Sequence, residues 1–357
     1  MKSISYLLLL CFTSLCLTAG AQITISGKIV DSTSREPLAG ASVFAQNTTQ
    51  GTVTNKDGEF SLTLKSGGYE LIISFTGYVA QQFQITDNRS QQLQIAMMKE
   101  DKTLGEVVIS SSNEVPDGWE KYGDFFIGHF IGTTPFSKNC TIQNKDAVKF
   151  YYYRRSDKLK VLATEPLVIS NESLGYELRY QLDSFVYYYK TDLSLYRGMC
   201  FFTEKLGTVS QALVWKANRE KAYFGSKMQF MRSLYDSTLK KDGFAVSILD
   251  ENDNTKFLQL INPLTNKYYK VVDSLDQVEI YYPKKIRVTY SKVAPEDDYL
   301  KQANLPMNVG VQNSYIDILN PIAVKSNGYY YEQKDWINQG YWSWKNLADM
   351  LPYDYLP

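Results

Sequence analysis

From Ile23 onward, apolar and polar residues alternate in short runs separated by glycine, proline and acidic residues. A period of two marks strands with one buried face. The runs "ITISGKIVD" and "AGASVFAQ" flank a polar turn at Ser32 to Pro37. "YELIISFTGYVAQQFQI" follows Gly67-Gly68 and is broken at Thr76-Gly77, and "QQLQIAMM" closes the region near Lys99. This spacing predicts an all-β sandwich over 22–99. Within it, "GTVTNKDGEFSLTL" predicts a hairpin, because Phe60, Leu62 and Leu64 share one face and Asp57-Gly58 supplies the turn. The same turn has the look of a calcium loop. With Gly58 in the sixth position, however, Val53 and Leu64 occupy the first and twelfth, where oxygen ligands belong.

A linker is expected over 100–118, and beyond it the pattern remains strand-rich but gains a helical period. "VKFYYYRRSDKLKVLA" predicts a hairpin turning near Ser156-Asp157, and "GYELRYQLDSFVYYYKTDLSLYRGMCFF" two or three further strands. In "VSQALVWKANREKAYFGSKMQFMRSLYDSTLKK", Ala217, Phe224, Met228, Met231, Tyr235 and Leu239 fall near one helical face, so one long helix is expected, with Gly225 its weak point. Its basic residues Lys216, Arg219, Lys221, Lys227 and Arg232 read as a solvated face, the alternative being contact with an acidic surface. Strands return at "KFLQLINPLTNKYYKVV", "VEIYYPKKIRVTYS" and "SNGYYYEQ". Trp342, Trp344, Leu347 and Leu351 then suggest a short docking helix. The expected fold is mainly β: a prealbumin-like β-sandwich, then a Tyr-rich antiparallel-sheet α+β domain over 119–357 that carries one long helix.

The first 21 residues change the compartment. Lys2, an apolar run from Tyr6 to Leu17 and Ala19-Gly20-Ala21 make a secretory signal peptide, too short to span a bilayer. Leu10 and Leu15 precede the two cysteines there, where lipidation would need a small residue. No later run is apolar enough for a transmembrane segment, so an exported protein of the periplasm or the outer-membrane surface is expected. Without the signal, 37 basic and 38 acidic residues nearly cancel, which leaves no global field for nucleic acid. Cys140 and Cys200 remain, either bridged in an oxidising compartment or separately buried.

The stretch "SGKIVDSTSREPLAGASVFAQNTTQGTVTNKDGEFSLTLKSGGYELIISFTGYV" resembles the carboxypeptidase regulatory-like, transthyretin-like domain. The resemblance is carried by Gly27, Val30-Asp31, Pro37 to Ala41, Thr54 to Phe60, and the Gly68-Tyr69 and Gly77-Tyr78 pairs. It implies an exported Bacteroidetes-type protein, since TonB-dependent nutrient receptors carry such a domain at the N-terminus. "LGEVVIS" (Leu104 to Ser110) resembles the segment that joins this domain to a receptor plug. It reads either as an extended linker or edge strand, or as a strand offered to a partner's sheet. Only 247 residues follow Ser110, too few for a transport barrel. The part from Trp119 resembles the uncharacterised second region of exported Bacteroidetes proteins, through "EPLVISNESLGYELRYQL", "AYFGSKMQFMRSLY" and "LADMLPYDY". In metallocarboxypeptidases the sandwich is an accessory to a zinc enzyme, but this chain has one histidine, His129, in "HFIG". One imidazole cannot build a two-histidine zinc site, and His129 reads as structural.

No catalytic, cofactor or metal residues are therefore expected. No G-x-S-x-G, P-loop or dinucleotide fingerprint occurs, although a glycosidase carboxylate pair has no short signature to search for. The 28 tyrosines are the unusual feature. Neighbouring tyrosines on a strand point to opposite faces, so one set fills the core and the other covers a surface. Tyr151, Tyr153, Tyr187 and Tyr189 are the candidate ligand platform. The expected function is non-enzymatic: an envelope binding or assembly module for another envelope protein or a cell-surface glycan, the alternative being a carbohydrate-binding or carbohydrate-processing accessory.

Overall fold

The computed structural model describes residues 22–86, 89–100 and 113–357. The expected signal peptide and the Leu104–Ser110 segment lie outside the described residues. The chain is mainly β, with an N-terminal sandwich and a larger β-rich region containing the helices.

The sandwich strands are β1 (Gln22–Asp31), β2 (Ser42–Ala45), β3 (Gly51–Val53), β4 (Glu59–Lys65), β5 (Tyr69–Ser74), β6 (Gln81–Ile85) and β7 (Gln91–Met97). One sheet runs β4-β1-β7 and the other β3-β2-β5-β6. The period of two puts Ile23, Ile25 and Ile29 of β1 beside Phe60, Leu62 and Leu64 of β4 in one core. The expected hairpin is corrected: β3 pairs with β2 and β4 with β1, so the turn between them is a corner joining two sheets. The turn itself forms locally. Asn55 Oδ1 accepts the N–H groups of Asp57 and Glu59 at 2.9 Å each, and Gly58 takes φ of 74°. Those local bonds do not decide which neighbour a strand pairs with.

Asp31 ends β1 with its carboxylate held from several sides. The Ser34 N–H (2.8 Å), the Tyr78 hydroxyl (2.7 Å) and the Thr33 N–H (2.7 Å) donate to it, and Lys99 lies 3.7 Å away. These contacts hold its pKa at about 2 rather than 3.8. A depressed carboxyl contributes stability above its unfolded value that is lost as pH falls through the folded one. The sandwich is therefore expected to weaken between about pH 4 and pH 2, and Asp31→Asn to flatten that part of the profile in pH-dependent urea melts.

The second region begins with helix α1 (Gly118–Phe130), followed by β8 (Cys140–Ile142), β9 (Val148–Tyr153), β10 (Lys158–Ala163), β11 (Leu167–Asn171), β12 (Tyr176–Tyr188) and β13 (Leu193–Glu204). These six strands form one antiparallel sheet. The long β12 pairs with β13 along one edge and with β11 and β10 in succession along the other. Phe126 and Phe130 of α1 are wholly buried on its inner face with Phe150, Phe185 and Tyr187. The sequence reading missed α1 because Gly123 and Gly128 count against a helix. His129 sits on α1 with Nδ1 2.8 Å from the Phe125 carbonyl oxygen and its ring against Phe125 and Tyr187.

Of the two alternatives left open for the cysteines, the structure has the separate thiols. Cys140 and Cys200 are free thiols. Cys140 opposes Asn171, and Cys200 opposes Tyr180, so strands β11 and β12 lie between them. Three strand spacings come to about 14 Å, beyond the roughly 7 Å Cα limit of a bridge.

The expected long helix is three pieces: α2 (Val209–Tyr223), α3 (Lys227–Tyr235) and α4 (Leu239–Asp242). Gly225 breaks it at φ of 81°. Its N–H donates to Gln229 Oε1 and its carbonyl accepts from Trp342 Nε1, both at 2.7 Å. Ser226 then caps α3 through the Gln229 N–H. The basic residues do not form one solvated face. Lys216 and Lys221 are exposed, but Arg219 donates to the Leu174 and Gly175 carbonyls, Lys227 to the Tyr330 hydroxyl, and Arg232 is buried.

A five-stranded sheet follows from β14 (Phe244–Leu249), β15 (Phe257–Gln259), β18 (Ile286–Tyr290), β19 (Gln312–Ile318) and β21 (Trp336–Gly340). Beside it is a three-stranded sheet of β16 (Tyr269–Val272), β17 (Gln277–Ile280) and β20 (Ile322–Val324). With α3, α5 (Asp297–Gln302) and α6 (Tyr341–Trp344) they enclose another core, which holds Trp342 and Trp344. Leu347 and Leu351 then cross back into the core of the six-stranded sheet.

The sandwich is bonded to both parts. Asn327 donates to the Gly68 carbonyl (2.9 Å) and accepts its N–H (3.1 Å), and the Tyr331 hydroxyl donates to the Ile85 carbonyl (2.9 Å). Thr48 bridges Phe201 of β13, and the Tyr353 N–H donates to the Asn47 carbonyl.

Candidate functional site

The six-stranded sheet has an inner face on α1 and an outer face that the sandwich covers only at one end. There Phe44 meets Phe201 at 5.3 Å, and Met199 is buried. Farther along, β9, β10, β12 and β13 carry side chains in register. One cross-strand row reads Tyr153, Lys158, Tyr188, Leu193, and the next Tyr151, Lys160, Val186, Leu195. Lys149 and Leu162 begin a third row, toward which Ser184 and Arg197 face. Leu193, Leu195, Lys149 and Arg197 are exposed, and the other members of these rows are half-buried. Directly opposed side chains lie about 5 Å apart, so the face is continuous. The Lys158 ammonium lies 5.1 Å from the centre of the Tyr153 ring.

This register divides the four expected platform tyrosines. Tyr151 and Tyr153 are on the outer face. Tyr187 opposes Leu159, which is fully buried, and so points inward. Tyr189 joins it there, its ring against Phe125, Tyr152 and Tyr187. The inner hydroxyls are committed to carboxylates: Tyr187 donates to Asp192 and Tyr152 to Asp157. The Asp192 bond, with burial second, pushes the Tyr187 hydroxyl up to about 12. Tyr188, which the sequence reading left out, takes the outer place. Tyr151 is also raised, mainly by burial and then by Glu114, which pairs beside it at the β9 margin.

A cleft of about 560 Å³ lies between α2 and residues 352–357. Its aromatic groups are already engaged. The Arg219 guanidinium stacks 3.9 Å over Tyr176, and Trp215 Nε1 donates to the Glu172 carbonyl. Gly175 at φ of 69° and Gly207 leave room for the Trp215 ring, which a Cβ on either would strike. The outer sheet face, where half-buried Tyr151, Tyr153 and Tyr188 stand among exposed Leu193 and Leu195, is the better candidate. Among the described residues no group of three or more His, Cys, Asp or Glu could hold a metal ion.

Residues 25–109 match the CarboxypepD_reg-like domain. The TonB-dependent receptor SusC of Bacteroides thetaiotaomicron is 36% identical over 94 residues, 26% of this chain and 9% of that receptor. A TonB-dependent receptor of Formosa agariphila is 30% identical over 114 residues, 32% of this chain and 11% of that one. The chain thus spans about a tenth of the length of these relatives. Among solved structures, a type II cohesin–X-dockerin complex from Acetivibrio cellulolyticus aligns with 23% of this chain and 62% of its own, at 25% identity and a TM-score of 0.21. The family match takes in the sandwich strands and their turn residues, and identifies residues 25–109 as a CarboxypepD_reg-like domain; the sequence matches show homology to part of the Bacteroidetes TonB-dependent receptors.

Proposed function

We propose that the protein is a non-catalytic binding module of the bacterial envelope, holding a surface polymer on the outer face of β9, β10, β12 and β13. The observation that carries this reading is the register that sets Tyr151, Tyr153 and Tyr188 on one open face. Ring faces present a flat apolar surface with a polar tip, which suits the alternating apolar and hydroxylated sides of a sugar. Homology of the sandwich to TonB-dependent receptors supports the envelope location.

The test is affinity electrophoresis of the purified chain through immobilised polysaccharides, with Tyr151→Ala/Tyr188→Ala alongside. Two lost ring contacts, each about 1 kcal/mol, predict roughly thirtyfold weaker retention with an unchanged melting temperature. Equal retention of variant and parent would dismiss the sheet face as the site.

A second reading, a protein partner, rests on α2. Val209, Leu213 and Val214 of its first turns are exposed, with Leu206 wholly so just before them. An apolar patch of this kind marks docking surfaces. Leu206→Asp/Leu213→Asp is expected to abolish co-purification of such a partner, and an unaltered set of bound proteins would remove this reading.

A further inference from the structure

We infer that the polymer held on this face is anionic, its charges read by Lys149, Lys158, Lys160 and Arg197. The inference rests on the polymer-binding reading above and narrows it. The chain as a whole is neutral, with 38 basic and 38 acidic residues. The three outer rows are not: they hold three lysines and an arginine with no carboxylate among them. Two carboxylates border the rows. Glu114 pairs beside Tyr151 at the β9 margin, and Asp183 lies in the β12 irregularity, its pKa raised by burial and only partly offset by Arg197. Arg154, Arg155 and Lys190 add cations at the turn end, where Asp157 and Asp192 accept from inner-face tyrosines.

Lys158 and Lys160 are two residues apart on one strand, roughly 7 Å. Each has a tyrosine directly across on β9, Tyr153 and Tyr151 respectively. The repeating unit of the face is therefore a ring beside an ammonium. A ring with one acidic group per residue, such as a uronic acid or a sulfated or phosphorylated sugar, meets both: the sugar face lies on the tyrosine and the anion on the lysine. A neutral chain would leave the ammonium groups to be partly desolvated without a counter-charge, which is unfavourable.

The experiment compares retention of the full chain by dextran sulfate, polygalacturonate and neutral dextran. Lys158→Gln/Lys160→Gln is run beside Lys216→Gln/Lys221→Gln, which removes two exposed cations from α2. The expected result is retention by both acidic polymers over dextran, about tenfold lost in the first variant and kept in the second. Retention should also fall roughly tenfold between about 50 and 200 mM salt. Salt-independent retention by dextran equal to that by the acidic polymers would overturn the inference and leave the polymer reading standing. Equal losses in both lysine variants would also overturn it, since attraction would then be diffuse. No retention by any polymer, acidic or neutral, would overturn both.

Discussion

Replacing Arg232 with Met is expected to lower the unfolding free energy by about 4 kcal/mol. The guanidinium is buried on α3. Its Nε donates to the Asn327 carbonyl at 3.0 Å, and one terminal nitrogen donates to the Tyr353 and Tyr355 carbonyls at 3.1 and 3.0 Å. Methionine fills much of the volume but leaves three backbone acceptors without their charged donor. The loss is amplified by position, because Asn327 in turn holds Gly68 of the sandwich. Urea denaturation followed by tryptophan fluorescence measures it. A midpoint change corresponding to less than about 1 kcal/mol would mean that water replaces the guanidinium at no cost.

The second large effect is expected at Gly27→Ala, about 3 kcal/mol. Gly27 lies mid-strand in β1, flanked by β4 and β7. A Cβ there would come within 2.3 Å of the Leu93 carbonyl oxygen and 2.9 Å of the Phe60 ring. The ring can turn, but the carbonyl belongs to a paired strand and moves only if the ladder opens. Faster hydrogen exchange confined to β1 and β7 is the expected accompaniment. Native exchange rates in both strands would show that the ladder absorbs a methyl group without opening.

The sandwich was legible because its signals are local. Period-two alternation in β1 and β4 and the Asn55–Gly58 turn are written in adjacent residues. The partner of β3 was not, since a corner and a hairpin share the same turn chemistry and differ only in distant packing. Gly225 advertised a weak helix, yet the break is fixed by Trp342, far along the chain. The platform shows the same limit. Alternation groups Tyr151 with Tyr153 and Tyr187 with Tyr189. Which group shares a face with the other is set by the pairing of Lys158 with Tyr188, and no short-range pattern encodes that register.

The path of the last residues has a consequence for how the molecule reaches its native state. Leu347 and Leu351 complete the interior that α1 began, while Tyr353 and Asp354 fasten the sandwich at Asn47 and Thr49. The sandwich core is made of residues 23–97 alone, but the core of the six-stranded sheet is not complete until residues 347–351 are in place. Folding of that larger region should therefore lag behind the sandwich, its apolar face staying open until those residues dock.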